Sequence, residues 1–135
     1  MSFLDELAKK GIINKSQIGE IKGRARSDPG GVDAALEETG LSLDKIMELK
    51  GEYLTLPVRK VNMEEMSFEA LKYISADSAE HYRFVPLELK DGVLEVGILD
   101  PENIQAMDAL EFISNKLGIP FKVFLISQND YNSIV

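Results

Sequence analysis

An internal repeat constrains the fold of this chain more than any other feature. Residues 7–12 align with residues 36–41 at an offset of 29 residues. In each copy a short helix stops at a glycine, Gly11 or Gly40, which can take the left-handed conformation that ends a helix. A polar residue able to cap a second helix follows each glycine, Asn14 in the first copy and Ser42 in the second. Because such short helices are marginal alone, the two helical pairs must pack against each other or against another part of the protein.

The second half of the chain changes from helical to alternating periodicity. Apolar residues at helical spacing (Phe68, Leu71, Ile74) predict a helix, and a further helical turn or two is expected through Ala79 to Tyr82. Residues 83–89 and 93–99 then alternate, and the Asp91-Gly92 pair between them is typical of a tight hairpin turn. Pro86 has no amide donor, so its strand should lie at a sheet edge or contain a bulge.

A longer helix and a third strand complete the prediction. Asp100-Pro101 reads as a helix start, with aspartate as the N-cap, and Gly118 reads as its end. One apolar stripe is expected along this helix: Ile104, Met107, Leu110, Ile113 and Leu117. Residues 122–126 predict a strand, and Ser127 opens another helical stretch.

These patterns predict an α+β protein, with a tandem helix-Gly-helix unit followed by a small three-stranded sheet with packed helices. The helical unit is placed at residues 1–57 and the α/β subdomain, with its hairpin and crossover helix, at residues 67–135. Residues 27–31 form a turn between the two repeats, and residues 59–65 are interpreted as a linker.

The residue inventory argues against an enzyme. Cysteine is absent and His81 is the only histidine, so the sequence predicts no thiolate or histidine metal site. Neither a phosphate-binding loop nor a serine nucleophile elbow occurs. We therefore expect no catalytic residues, no cofactor and no metal. No apolar run reaches the roughly 18 residues that span a bilayer, so we expect no direct membrane insertion.

The net charge of the chain limits the classes of partner that it can bind. The net charge of −8 argues against nucleic acid and anionic lipid. Residues 1–27 nevertheless carry six basic and three acidic side chains, whereas residues 28–135 carry nine and twenty. The basic segment that ends in Lys22, Arg24 and Arg26 is therefore the candidate partner-binding surface, and a solvated helix end is the alternative.

The order of these features resembles one family, the amino-terminal domain of type II secretion and type IV pilus assembly ATPases (the MshEN or secretion-protein-E N-terminal domain). Four segments carry the resemblance: Tyr82-Arg83-Phe84-Val85-Pro86-Leu87, Asp91-Gly92-Val93-Leu94-Glu95-Val96, Leu99-Asp100-Pro101 and Leu110-Glu111-Phe112-Ile113. The resemblance implies a cytoplasmic, non-catalytic module that docks a motor to a platform protein of the inner membrane. Through this partner the module would be peripheral to the membrane. Two alternatives stay open, the front part of a motor ATPase and a free-standing copy of the domain.

A subset of that family binds cyclic di-GMP through an Arg-x-Gly that opens each repeat and a glutamine that closes it. Counting back from Gly11 and Gly40, this chain differs at every one of these positions: Ser2 and Gly31 for arginine, Leu4 and Asp33 for glycine, Ala25 and Tyr53 for glutamine. Without arginine to pair with phosphate, the comparison argues against cyclic di-GMP as a partner. A second-messenger receptor with degenerate motifs is kept as the alternative function, and a regulatory module unrelated to secretion as a third.

Overall fold

The computed structural model describes residues 3–61 and 70–134 of the chain. The polypeptide folds as two units, Met1–Thr55 and Leu56–Val135. The sequence-based domain limits at residues 57 and 67 stay a prediction. Phe68, most of the proposed linker and the start of the second predicted domain lie outside the described residues.

The first unit contains the two helical pairs. Its elements are α1 (Phe3–Lys9), a 3₁₀ turn (Lys15–Gln17) that leads into α2 (Ile18–Ser27), α3 (Gly31–Glu37) and α4 (Leu43–Leu54). Gly11 and Gly40 have φ values of 76° and 103°, which confirms that a left-handed glycine follows the first helix of each pair. The apolar repeat positions form the core of the unit, with Leu7, Leu36 and Ile46 fully buried.

Both predicted caps are present. The Ser42 hydroxyl oxygen accepts a hydrogen bond from the Lys45 amide at 3.2 Å, so Ser42 is the N-cap of α4. In the first repeat the Gln17 side-chain oxygen accepts a hydrogen bond from the backbone N–H of Asn14 at 2.8 Å, as in a capping box. These bonds use amide groups that a helix start leaves without partners inside the helix.

The second unit is built on a three-stranded mixed sheet. Its elements are a 3₁₀ turn (Ala70–Tyr73), α5 (Ala76–Tyr82), β1 (Phe84–Lys90), β2 (Val93–Ile98), α6 (Ile104–Leu117), β3 (Phe121–Leu125) and α7 (Gln128–Ile134). The strand order is β1-β2-β3, with β1 antiparallel and β3 parallel to β2. Since β2 and β3 are parallel, the chain crosses between them through α6. The predicted α+β fold with a three-stranded sheet is confirmed.

The hairpin between β1 and β2 has the predicted turn. Asp91 and Gly92 have φ values of 53° and 78°, and Lys90 pairs with Val93 on either side of them. Two consecutive positive φ values characterise the two-residue turn that matches the twist of the flanking strands. The register shifts between Pro86 and Glu88, and β1 is an edge strand, so both consequences expected of Pro86 are found.

The start of α6 differs from the prediction. The helix begins at Ile104, and Asn103 is its N-cap, with the side-chain oxygen accepting from the Ala106 amide at 3.3 Å. Asp100 instead accepts from the Glu102 amide at 3.0 Å, which closes a local turn around Pro101. Asp100 and Asn103 are both residue types that cap helices, and in the structure Asn103 is the N-cap of α6.

The predicted apolar stripe of α6 is therefore only partly buried. Leu110 is buried, but Ile104 and Leu117 are 74% and 39% exposed. Ala106, which the stripe omitted, is buried instead and shares the core with Leu110. Gly118 ends the helix with a φ of 69°, as predicted.

Arg59 is attached to the sheet, which corrects its assignment to a linker. The Leu125 amide donates to the Pro57 carbonyl at 2.8 Å, and the Arg59 amide donates to the Leu125 carbonyl at 2.9 Å. The Arg59 guanidinium bonds Glu95 at 2.7 Å and lies 4.1 Å from the centre of the Phe124 ring. This segment pairs with the last residue of β3 and satisfies two backbone groups that an open edge would leave free there.

The C-terminal helix α7 begins as predicted and is anchored to α5. The Ser127 hydroxyl oxygen accepts from the Asp130 amide at 3.1 Å. The buried Tyr131 hydroxyl donates to the Ala79 carbonyl at 2.9 Å. Burial raises the pKa of Tyr131, and Glu80 acts in the same direction against the opposing charge of Arg83. The phenol therefore stays a neutral donor across the physiological pH range.

Candidate functional site

The positions that correspond to the cyclic di-GMP motif lie in the helical unit, on both repeats. Ser2 is outside the described residues, whereas Leu4 on α1 is buried in the apolar core. Gly31, at the other arginine position, has a φ of 62° at the start of α3. Leu4 therefore supplies packing and Gly31 supplies backbone geometry.

Asp33, at the second glycine position, is held in a buried ion pair. Lys50 Nζ on α4 lies 2.9 Å from Asp33 Oδ1 on α3, and the two side chains are 18% and 3% exposed. The carboxylate is thus neutralised by a neighbouring helix. An unpaired carboxylate at this position would repel a phosphate, and the pairing with Lys50 offsets that charge.

The closing positions bring the two repeats together. Ala25 lies half-buried on α2, and the Tyr53 ring on α4 packs on the Phe3 ring of α1, with centroids 5.7 Å apart. The end of the second repeat therefore contacts the beginning of the first. A ligand contact at this point would have to come from aromatic surface instead of an amide side chain.

The three predicted partner-binding residues are exposed on α2 but do not form one patch. Lys22 and Arg26 are one helical turn apart and share a face, while Arg24 points to another side. Arg24 pairs with Glu20 at 3.5 Å and with Glu38. Within residues 3–61 and 70–134, Lys22 and Arg26 form no ion pair, so of these three side chains they are the two that a partner could pair with.

The helical unit can attract an anion through exposed basic side chains. Its exposed cations are Lys9, Lys10, Lys15, Lys22, Arg24, Arg26 and Lys45. Guanidinium and ammonium groups of this kind bind phosphate through charge-assisted hydrogen bonds. The His81 side chain in the second unit is exposed, and no group of metal-ligating residues is found in the part of the chain that the structure describes. In that same part, none of the helices is both long enough and apolar enough to cross a bilayer.

Comparison with known proteins identifies the family. The model of the MshEN domain matches residues 54–135. No curated protein shows significant sequence similarity to the chain. The solved structure of MshE with cdg is similar with a TM-score of 0.67 and 18% identity, over 98% of this chain and 95% of that one.

The N-terminal domain of XpsE is also similar, in two crystal forms. The TM-scores are 0.56 and 0.51, the identities 21% and 19%, and the similarity covers 98% and 97% of this chain and 90% of each XpsE chain. At these identities the similarity establishes the fold. It extends over both units, whereas the family model matches mainly the second.

The expectation that cyclic di-GMP is an improbable partner is corrected by the MshE structure, which was solved with cdg, cyclic di-GMP. That expectation was drawn from six individual positions, whereas the architecture that presents them is retained over nearly the whole chain. The chain belongs to the MshEN domain family, as its resemblance to the amino-terminal domains of secretion and pilus-assembly ATPases predicts.

Proposed function

We propose that this domain is a non-catalytic regulatory module of a secretion or pilus-assembly system that binds a cyclic dinucleotide of the cyclic di-GMP type. The observation that carries the proposal is the similarity to MshE with cdg over 98% of the chain. The exposed basic side chains of the helical unit support it, because a cyclic dinucleotide carries two phosphates that need cationic partners. We place its action in the cytoplasm, peripheral to the inner membrane.

Contacts in this domain would differ from the Arg-x-Gly pattern. Leu4 and Asp33 stand at the two glycine positions of that pattern. Leu4 is buried and Asp33 is paired with Lys50, so neither side chain is positioned to contact the ligand. Phosphate binding would fall to surface cations, and base stacking to exposed parts of aromatic rings such as Phe3 and Tyr53. We therefore propose that the fold is retained while the residues that contact the cyclic dinucleotide differ from the Arg-x-Gly pattern.

Titration of the purified chain with cyclic di-GMP tests this function. We expect saturable heat in calorimetry and a rise in melting temperature, since ligand at about 100 times its Kd stabilises a protein by roughly 2.7 kcal/mol. ATP serves as the matched control nucleotide, because the sequence has no phosphate-binding loop, and should give neither signal. Absence of both signals for cyclic di-GMP at millimolar concentration would contradict the proposal.

A second candidate function is docking to an inner-membrane platform protein. The exposed and unpaired state of Lys22 and Arg26, within the described residues of a chain with net charge −8, favours it. Exposed charges of this kind mainly raise the association rate and make it depend on salt. Arg24 contributes less, because it is already paired with Glu20 and Glu38.

The docking proposal predicts the effect of charge reversal on α2. The Lys22→Glu/Arg26→Glu variant should bind a purified platform protein more slowly and with a weaker dependence on salt. Lys45→Glu/Lys9→Glu is the matched control, since it reverses the same number of exposed charges elsewhere in the unit. Equal association rates and equal salt dependence for both variants and the original chain would exclude this surface.

A further inference from the structure

One face of α6 leaves a large aromatic side chain in solvent beside a groove. Phe112 is 68% exposed in the middle of the helix. The groove has a volume of about 980 Å³ and lies between α6, α5 and the 3₁₀ turn at Ala70–Tyr73. Besides Phe112, its lining includes aromatic and apolar side chains: Tyr73, Tyr82, Ala109 and Ile113. Exposed aromatic surface next to a groove of this size is typical of an interaction site.

Two opposite charges flank Phe112 symmetrically. Asp108 lies four residues before it and Lys116 four residues after it, and both line the groove. With 3.6 residues per turn, each is about one turn from Phe112 and within roughly 40° of it around the helix axis. Neither has an opposite charge three or four residues away on α6. In the part of the chain that the structure describes, neither forms an ion pair.

This arrangement is complementary to itself. When two copies of α6 pack antiparallel about a two-fold axis that passes beside Phe112, Asp108 faces Lys116 of the partner subunit and Lys116 faces Asp108 of the partner subunit. A two-fold interface requires that one patch match its own copy, and a charge pair of opposite sign centred on an apolar residue meets that requirement. We propose that the groove-lining face of α6 is a homodimer interface.

The groove gives the aromatic side chain a place in the dimer. Phe112 of the partner subunit enters between α6 and α5, where it contacts Ala109, Ile113 and the rings of Tyr73 and Tyr82. Each chain carries a net charge of −8, which opposes association. We therefore expect a weak dimer with a Kd on the order of 10 to 100 µM.

A charge swap tests the reciprocal pairing. Sedimentation velocity over a range of concentrations should show a monomer–dimer equilibrium for the original chain, and Asp108→Lys and Lys116→Asp should each weaken it about tenfold. The two substitutions move the net charge in opposite directions, from −8 to −6 and to −10, so a shared weakening does not come from overall repulsion. The double variant keeps −8, re-forms both pairs in reverse and should restore dimerisation.

Two substitutions of exposed apolar residues on the same helix complete the test. Phe112→Ser should abolish the dimer, whereas Ile104→Ser should leave it unchanged, because Ile104 is 74% exposed and does not line the groove. Circular dichroism checks that all variants keep their helices. A chain that stays monomeric at about ten times the expected Kd, a double variant that is not restored, or equal effects of the two serine substitutions would overturn the proposal.

Discussion

Replacing Lys50 with methionine is expected to lower the free energy of unfolding by about 3 kcal/mol. The substitution keeps the apolar stem of the side chain but removes the ammonium group that lies 2.9 Å from Asp33. The Asp33 carboxylate would remain buried, at 3% exposure, without this counter-charge. Removing one partner of a buried pair is costly because the remaining charge has lost its hydration. Urea denaturation followed by far-UV circular dichroism measures the loss.

Lys45→Met is the matched control for this prediction. Lys45 lies on the same helix, and its pair with Glu48, at 3.8 Å, is exposed on both sides, so we expect a change below about 0.5 kcal/mol. Asp33→Leu combined with Lys50→Met removes both charges and should recover much of the stability lost in the single variant. Equal losses for Lys45→Met and Lys50→Met would show that the buried pair contributes no more than an exposed one.

A methyl group at position 97 is expected to destabilise the second unit by about 1 to 3 kcal/mol, because it overpacks the core. A Cβ at Gly97 would lie 2.9 Å from both Cδ1 and Cγ2 of Ile126. Ile126 is fully buried and β-branched, so it has little freedom to turn aside. Thermal unfolding of Gly97→Ala measures the effect. Gly23→Ala is the control, since open space surrounds Gly23 on α2 and alanine favours a helix.

A double-mutant cycle assigns the cause of that loss to one contact. Ile126→Ala removes the atoms that the new methyl group would meet, at a cost of about 2 to 5 kcal/mol for the cavity it leaves. In that background, Gly97→Ala fills part of the cavity and should cost little or stabilise the protein. If Gly97→Ala costs the same with and without Ile126, the clash is not the cause and the strain lies in the backbone of β2.

The features that were predicted correctly from the sequence are those set by neighbouring residues. The turn at Asp91-Gly92 and the helix ends at Gly11 and Gly40 depend on local backbone geometry, which these residue types determine. The start of α6 was wrong because Asp100 and Asn103 both suit a cap, and local pattern alone does not rank them.

Long-range side-chain pairs could not be predicted from the pattern. Asp33 and Lys50 are 17 residues apart, and Arg59 and Glu95 are 36 residues apart. In the sequence each of these charges reads as a solvated surface residue. Their burial follows from how α3 meets α4 and how residues 57–59 lie along β3, which only the folded chain specifies.

At the candidate site, too, some features followed from the sequence and others only from the structure. The motif positions were assigned in the sequence by counting back from Gly11 and Gly40, and the structure shows the side chains at two of them: Leu4 in the core and Asp33 in an ion pair. The inference against cyclic di-GMP treated each lost side chain as a lost site. The similarity to MshE with cdg corrects it, because a fold can keep a binding surface while the contacting residues change.

Each edge of the sheet is interrupted at one place, and this bears on aggregation. On the β1 side, Pro86 lacks an amide donor and the adjacent bulge disturbs the row of hydrogen-bonding groups. On the β3 side, both backbone groups of Leu125 are taken by residues 57 and 59. A strand from another molecule therefore meets an interruption of the hydrogen-bonding row on each edge. These interruptions oppose edge-to-edge growth of the sheet when copies of the domain are held at high local concentration.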